Sequence, residues 1–265
     1  MAATNPEYYT HSSGHKISRI QTSGFDDDII HIGDTSVNKY ELMAAFGGTL
    51  NPGLAPPPSR KFANPSPLGL CAFALTTFVL SLVNIRARHA TNPSVVIGLA
   101  YFYGGFIQLL AGMWEIVVEN TFPAVALSSY GGFWLSWAAI NTDSFGIVSS
   151  YTTTDELEDV LGYYLMGWVI FTTLLVSVTL RSTFAFFGLF FTLDMTFLFL
   201  AIEKLARSPA CGKIAGWWGL AAAFFAWYNA YAGLATPENS YIVVKPLYMP
   251  GAMLPRDKTK DDESK

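Results

Sequence analysis

Between residues 62 and 234 the chain passes through six long apolar stretches parted by short polar breaks. No other feature limits so strongly what it can fold into. The stretches cover about 67–85, 94–118, 122–141, 157–180, 183–202 and 211–234. Each supplies the roughly 17–25 residues an α-helix needs to cross about 30 Å of hydrocarbon at 1.5 Å per residue. Hydrocarbon offers no partner to backbone N–H and C=O groups, so a spanning segment must satisfy them internally. Charged residues make up 14% of the chain, against the roughly 25% usual in soluble domains. Most of them lie in 1–61 and 235–265. The expected fold class is an all-α polytopic membrane protein with six transmembrane helices.

The flanks read differently. Residues 1–61 are expected to form a disordered polar tail, with 46–49 a tether or a membrane-touching patch and 56–58 an extended proline spacer. Residues 1–40 hold no apolar leader, and 235–265 read as a polar C-terminal tail. Six spans put both termini on one side. Arg60, Lys61, Arg181 and Lys245 at that side face Arg86, Arg88, Lys204, Arg207 and Lys213 at the other, so the count of basic residues does not choose an orientation. A clustered basic face is missing, which excludes nucleic acid as a partner. Cys71 and Cys211 read as small apolar fillers, and His89 is the last histidine, in a loop. With no zinc spacing, phosphate loop or nucleophile–base set in sight, the expectation is no enzyme, no cofactor and no metal.

Several groups inside the apolar stretches carry the functional reading. Asn64-Pro65-Ser66-Pro67-Leu68-Gly69-Leu70 opens the first helix. Proline suits a first helical turn because its missing N–H is unpaired there anyway. Asn64 or Ser66 can cap neighbouring amides, and free amides at such an end attract anions. In the second helix Gly98, Gly105 and Gly112 fall seven apart, widened by Gly104 and Ala111 into a stripe for close helix packing. Gly212, Gly216 and Gly219 do the same in the sixth. Gln108 and Glu115, also seven apart, project to one side, either into a pathway or onto a neighbouring helix. Asp194 sits near the middle of its stretch and is expected to be protonated, paired or water-facing, with Asp194→Asn altering a pH dependence. Residues 128–132, Ser-Ser-Tyr-Gly-Gly, interrupt the apolar run of the third helix, where the two glycines permit close backbone contact and a kink or local widening. Asn229 is expected to face protein.

In order, these pieces resemble the acetate uptake transporters of the GPR1/FUN34/YaaH type, the succinate–acetate permease family. Carrying the resemblance are the Asn64–Leu70 motif, Phe102-Tyr103-Gly104-Gly105 with Gln108, and Ala111-Gly112-Met113-Trp114-Glu115. Further along come Ser129-Tyr130-Gly131-Gly132-Phe133-Trp134, Ala215-Gly216-Trp217-Trp218-Gly219 and Ala226-Trp227-Tyr228-Asn229-Ala230. The long polar N-terminus resembles the fungal branch. The resemblance implies a six-helix bundle around a central pore, a ring of six subunits and acetate or related short carboxylates as substrate. It further implies protons as a coupled partner and a plasma-membrane location with cytoplasmic termini. Substrate contacts are expected from Asn64, Pro65, Ser66, Pro67, Leu68, Gly69, Leu70, Gln108, Glu115, Tyr130 and Asn229. A constriction is expected at Phe73, Tyr130 and Leu193, and proton coupling at Asp194 or Glu115. Ser66 stands where many members carry Ala, and Asp194 where bacterial members carry an uncharged residue. A non-conducting membrane sensor or scaffold, and ammonium export, are the alternatives.

Overall fold

The structure, a computed structural model, describes residues 62–251 without a break and, before them, 9–10, 16–17, 21–24, 28–32 and 35–45. The chain divides into two compact units, 1–61 and 62–265. In the first, β1 (Tyr9–Thr10) pairs antiparallel with β2 (Lys16–Ile17). A second antiparallel sheet runs β3 (Gln21–Ser23), β4 (Ile29–Ile32), β5 (Thr35–Asn38), with Ile30 opposite both Thr22 and Val37. The short helix α1 (Lys39–Ala45) follows. The described pieces of the expected disordered tail thus include strands and a helix. Its stretches 46–49 and 56–58 lie outside the described residues.

The second unit is helical. Its elements are α2 (Ser66–Asn84), α3 (Ser94–Tyr101), a π-wound turn (Phe102–Ile107), α4 (Gln108–Val117), α5 (Thr121–Ile140), α6 (Thr154–Thr179), α7 (Phe184–Ala206) and α8 (Pro209–Leu234). Among the described residues four helical runs are long and apolar enough to cross a membrane: Ser66–Asn84, Ser94–Val117, Thr154–Thr179 and Phe184–Ala206. The helices α5 and α8 reach 20 and 26 residues. Serines in the first, and glycine, Trp, Tyr, Asn229 and Lys213 in the second, dilute their apolar character.

Local chemistry sets the helix starts. Thr153 accepts a hydrogen bond from the Glu156 amide at 3.3 Å, and Thr183 one from the Phe186 amide at 3.2 Å, satisfying first-turn donors of α6 and α7. The helices then pack as neighbours: α8 on α2 and α7, α6 on α7, and α4 on α5. Lys204 and Arg207 at the C-terminal end of α7 bond Glu158 at 3.1 Å and Asp159 at 2.5 Å in the first turns of α6.

Two expectations need correction. The second helix is not uniform, because the π turn adds a residue to the winding and rotates everything beyond it by about 100°. Gly98 consequently leaves the glycine stripe, and a side chain there would meet nothing within 4 Å. Gly112 instead seats against Ser128, whose backbone nitrogen would lie 2.5 Å from an added Cβ. The third helix, α5, runs on through residues 128–132, and the close backbone contact expected there is present. There Gly131 admits the Leu109 backbone, with a Cβ-to-nitrogen distance of 2.8 Å, while Gly132 faces open space. Nor does the chain leave the bundle after α8 as a free tail. It crosses back as a strap: the Phe184 amide donates to the Leu247 carbonyl and the Met249 amide to the Ser182 carbonyl, both at 2.9 Å, and Tyr248 bridges to Thr183.

Candidate functional site

The mouth motif lies where α2, α4 and α8 meet. Asn64 Oδ1 accepts the Ser66 amide at 3.1 Å. Pro67 has no amide, and the Gly69 amide reaches the Pro65 carbonyl at 3.4 Å. Three of the first four helical positions therefore offer no free N–H to an anion, so the mouth is less of an amide cradle than its sequence suggests. Asn64 and Leu68 are exposed, Pro65, Ser66 and Leu70 half-buried, and Pro67 and Gly69 buried. Close packing accounts for the two buried residues. Gly69 lies against Leu127, and Pro67 against Gly233 of α8.

Ser66 has a partner that sequence reasoning did not give it. Its hydroxyl donates to Glu115 Oε1 across the α2–α4 seam. Glu115 is fully buried, and its other oxygen has no partner among the described residues. Gln108, Gly112 and Glu115 stand at i, i+4 and i+7, one face of α4. Gln108 is fully buried as well, with both amide atoms unpartnered among the described residues. Buried polar groups are normally satisfied, so a side chain with an idle donor and an idle acceptor calls for a reason.

Gln108 faces a small cavity of about 20 Å³ that Leu70, Phe73, Tyr130 and Leu193 also line. That holds about one water, for which some 10–15 Å³ suffices. The depth is consistent across the bundle. Phe73, Tyr130 and Leu193 lie seven to nine residues into α2, α5 and α7, and Gln108 nine before the end of α4. At 1.5 Å per residue this is about 10–14 Å from the mouth, near the middle of a 30 Å layer. Tyr130 anchors the ring cluster there, stacked on Phe197 at 6.2 Å and tilted against Phe73 at 6.2 Å. Its hydroxyl bonds Thr172 Oγ1 at 3.0 Å. Beyond the rings a second cavity of about 340 Å³ opens, with Phe133, Asn84, Asn141, Tyr164, Glu203 and Lys204 in its wall. Glu203 and Lys204 were not singled out for a site from sequence. Their place at the end of an apolar run made them look like ordinary helix-terminal charges.

Two predicted residues lie elsewhere. Asp194 accepts hydrogen bonds from Thr173 Oγ1 at 3.1 and 3.2 Å, between α6 and α7. It does not line the cavity that its neighbour Leu193 lines. Asn229 donates from Nδ2 to the carbonyls of Ala185 at 3.1 Å and Phe225 at 2.8 Å, tying α8 to α7. It lies on an outer groove instead of at the neck.

Apolar helices long enough to span, with a polar line buried among them, define a helical membrane protein of the transporter and channel type. The chain belongs to the GPR1/FUN34/yaaH family, whose model matches residues 46–251. It is 56% identical to "Glyoxylate pathway regulator" of Yarrowia lipolytica over 91% of this chain and 89% of that one. It is 52% identical to "Ammonia transport outward protein 2" of Saccharomyces cerevisiae (90% and 85% covered) and 50% identical to "Acetate permease A" of Emericella nidulans (80% and 75%). The solved structure of the bacterial acetate channel SatP superposes with a TM-score of 0.62 at 33% identity, covering 70% of this chain and 99% of that one.

Proposed function

We propose that this protein carries acetate and related short-chain carboxylates across the plasma membrane, each accompanied by a proton. The path is a pore within a six-helix bundle formed by residues 62–234, in a ring of six subunits. Both termini face the cytoplasm. The four apolar spans, and the lengths of α5 and α8, support the six crossings. The names of the permease and channel relatives support the substrate.

The observation that carries the reading is the idle amide of Gln108 at the neck. A protonated carboxylic acid has one acceptor and one donor side by side, and a primary amide has the complementary pair. Gln108 Nε2 would donate to the acid's carbonyl oxygen, and Oε1 would accept its O–H. The ring-lined neck disfavours a bare anion, because an ion stripped of water there finds no counter-charge. The neutral acid avoids that cost. Glu115, bonded to Ser66 and one helix face from Gln108, is the group assigned to pass the proton at the mouth. Asn64 and the rest of the mouth motif hold that hydroxyl in place, and Phe73, Tyr130 and Leu193 set the width.

The test is uptake of labelled acetate by the purified protein in liposomes, with propionate, lactate, succinate and ammonium as competitors. Uptake above that of empty vesicles, blocked by the short acids, supports the reading. Transport of ammonium alone would favour the second reading, which the name of the yeast relative motivates. Absence of any transport by folded protein would leave the sensor reading. A chain lacking residues 1–50 should transport at the full rate.

A further inference from the structure

Outside the path just described, α7, α8 and the C-terminal strap enclose a groove of about 980 Å³. Its walls are apolar, formed chiefly by Phe187, Gly188, Phe224 and Phe225, with Val244 and Leu247 of the strap across one end. Along α8 it runs from Ala221 to Ala232. Eleven residues at 1.5 Å each is about 16 Å, the depth of one leaflet of a 30 Å hydrocarbon layer. Two basic residues neighbour the strap-end lining along the chain. Arg181 stands two residues before the lining Thr183, and Lys245 lies between the lining Val244 and Pro246. Both are exposed, and neither takes part in an ion pair among the described residues.

We propose that this groove binds one anionic phospholipid of the adjoining leaflet, an acyl chain lying along α7 and α8 and the headgroup held by Arg181 and Lys245. The length of the groove suits a single chain that enters from the headgroup level and stops at the midplane. Basic side chains at the rim between membrane helices are the usual partners of acidic headgroups. An uncharged occupant would fill the walls equally well but leave both cations without a counter-charge. The inference is independent of the substrate, since the groove shares no residue with the neck cavity.

The test is native mass spectrometry of the full chain extracted from nanodiscs containing phosphatidylserine and phosphatidylcholine in equal amounts, with matched acyl chains. Retained phosphatidylserine should exceed phosphatidylcholine by roughly 25-fold, about fivefold for each of the two cations. Replacing both Arg181→Gln and Lys245→Gln should cut its retention by roughly 25-fold, about fivefold for each charge. The charge-keeping pair Arg181→Lys and Lys245→Arg should restore it. Ala232→Trp, at an exposed wall position, should exclude both lipids. Equal retention of the two lipids, or retention indifferent to the glutamine pair, would overturn the proposal. So would an Ala232→Trp chain that keeps its lipid but falls to a smaller assembly, an outcome that assigns the groove to a second copy of the chain.

Discussion

Gln108→Leu separates a transport role from a structural one because the two predict opposite changes in stability. Both amide atoms of Gln108 are buried without partners, and each such group costs about 1–3 kcal/mol. The adjoining cavity of about 20 Å³ admits roughly one water, which relieves one amide atom and leaves the other bare. Leucine removes both at nearly the same volume, so the variant should gain about 1–3 kcal/mol of stability. For a bundle of this size that is a rise of about 2–12 °C in the unfolding midpoint, read by intrinsic fluorescence in nanodiscs. Acetate transport should fall at the same time. The acid would lose two hydrogen bonds of about 0.5–1.5 kcal/mol each, which slows uptake by roughly 5–150-fold. A less stable Gln108→Leu protein would mean that the amide is satisfied structurally. Uptake within twofold of the parent would mean that the acid never touches it. Either result refutes the reasoning.

Other expectations follow from the same geometry. Glu115→Gln should displace the pH profile of uptake, whereas Asp194→Asn, whose carboxylate is bonded to Thr173 and does not line the neck cavity, should leave that profile in place; initial rates between pH 4 and 8 distinguish the two. Leu193→Ala should enlarge the neck cavity and raise uptake of lactate relative to acetate in competition assays, at a stability cost of about 2–5 kcal/mol. Gly131→Ala should destabilise the protein by about 1–3 kcal/mol, since its Cβ would meet the Leu109 backbone. Its neighbour Gly132→Ala, facing open space, should melt with the parent. Equal melting temperatures for the two alanine variants would contradict the α4–α5 packing.

The helices were largely legible because apolar length alone dictates them, and their ends fall within a few residues of the expected ones apart from the longer far end of α7. The spacing of Gln108 and Glu115 also placed them correctly on one face of α4. What spacing could not supply was the neighbour each face meets. The contact between Ser66 and Glu115 joins residues 49 apart. The direction of Asp194 depends on how α7 is rotated against α6. The π turn has no breaker such as proline to announce it, only the run Tyr103-Gly104-Gly105. The strap was missed because nothing in the run 241–250 announces two backbone hydrogen bonds to residues some 65 positions away.

Simultaneous recording of acetate uptake, luminal pH and membrane current in liposomes tests the passage of a neutral acid most directly. The account predicts one proton released inside for each acetate taken up, with no net current and at a rate above that of empty vesicles. Acetate entry carrying negative current, with the lumen unchanged in pH, would contradict it.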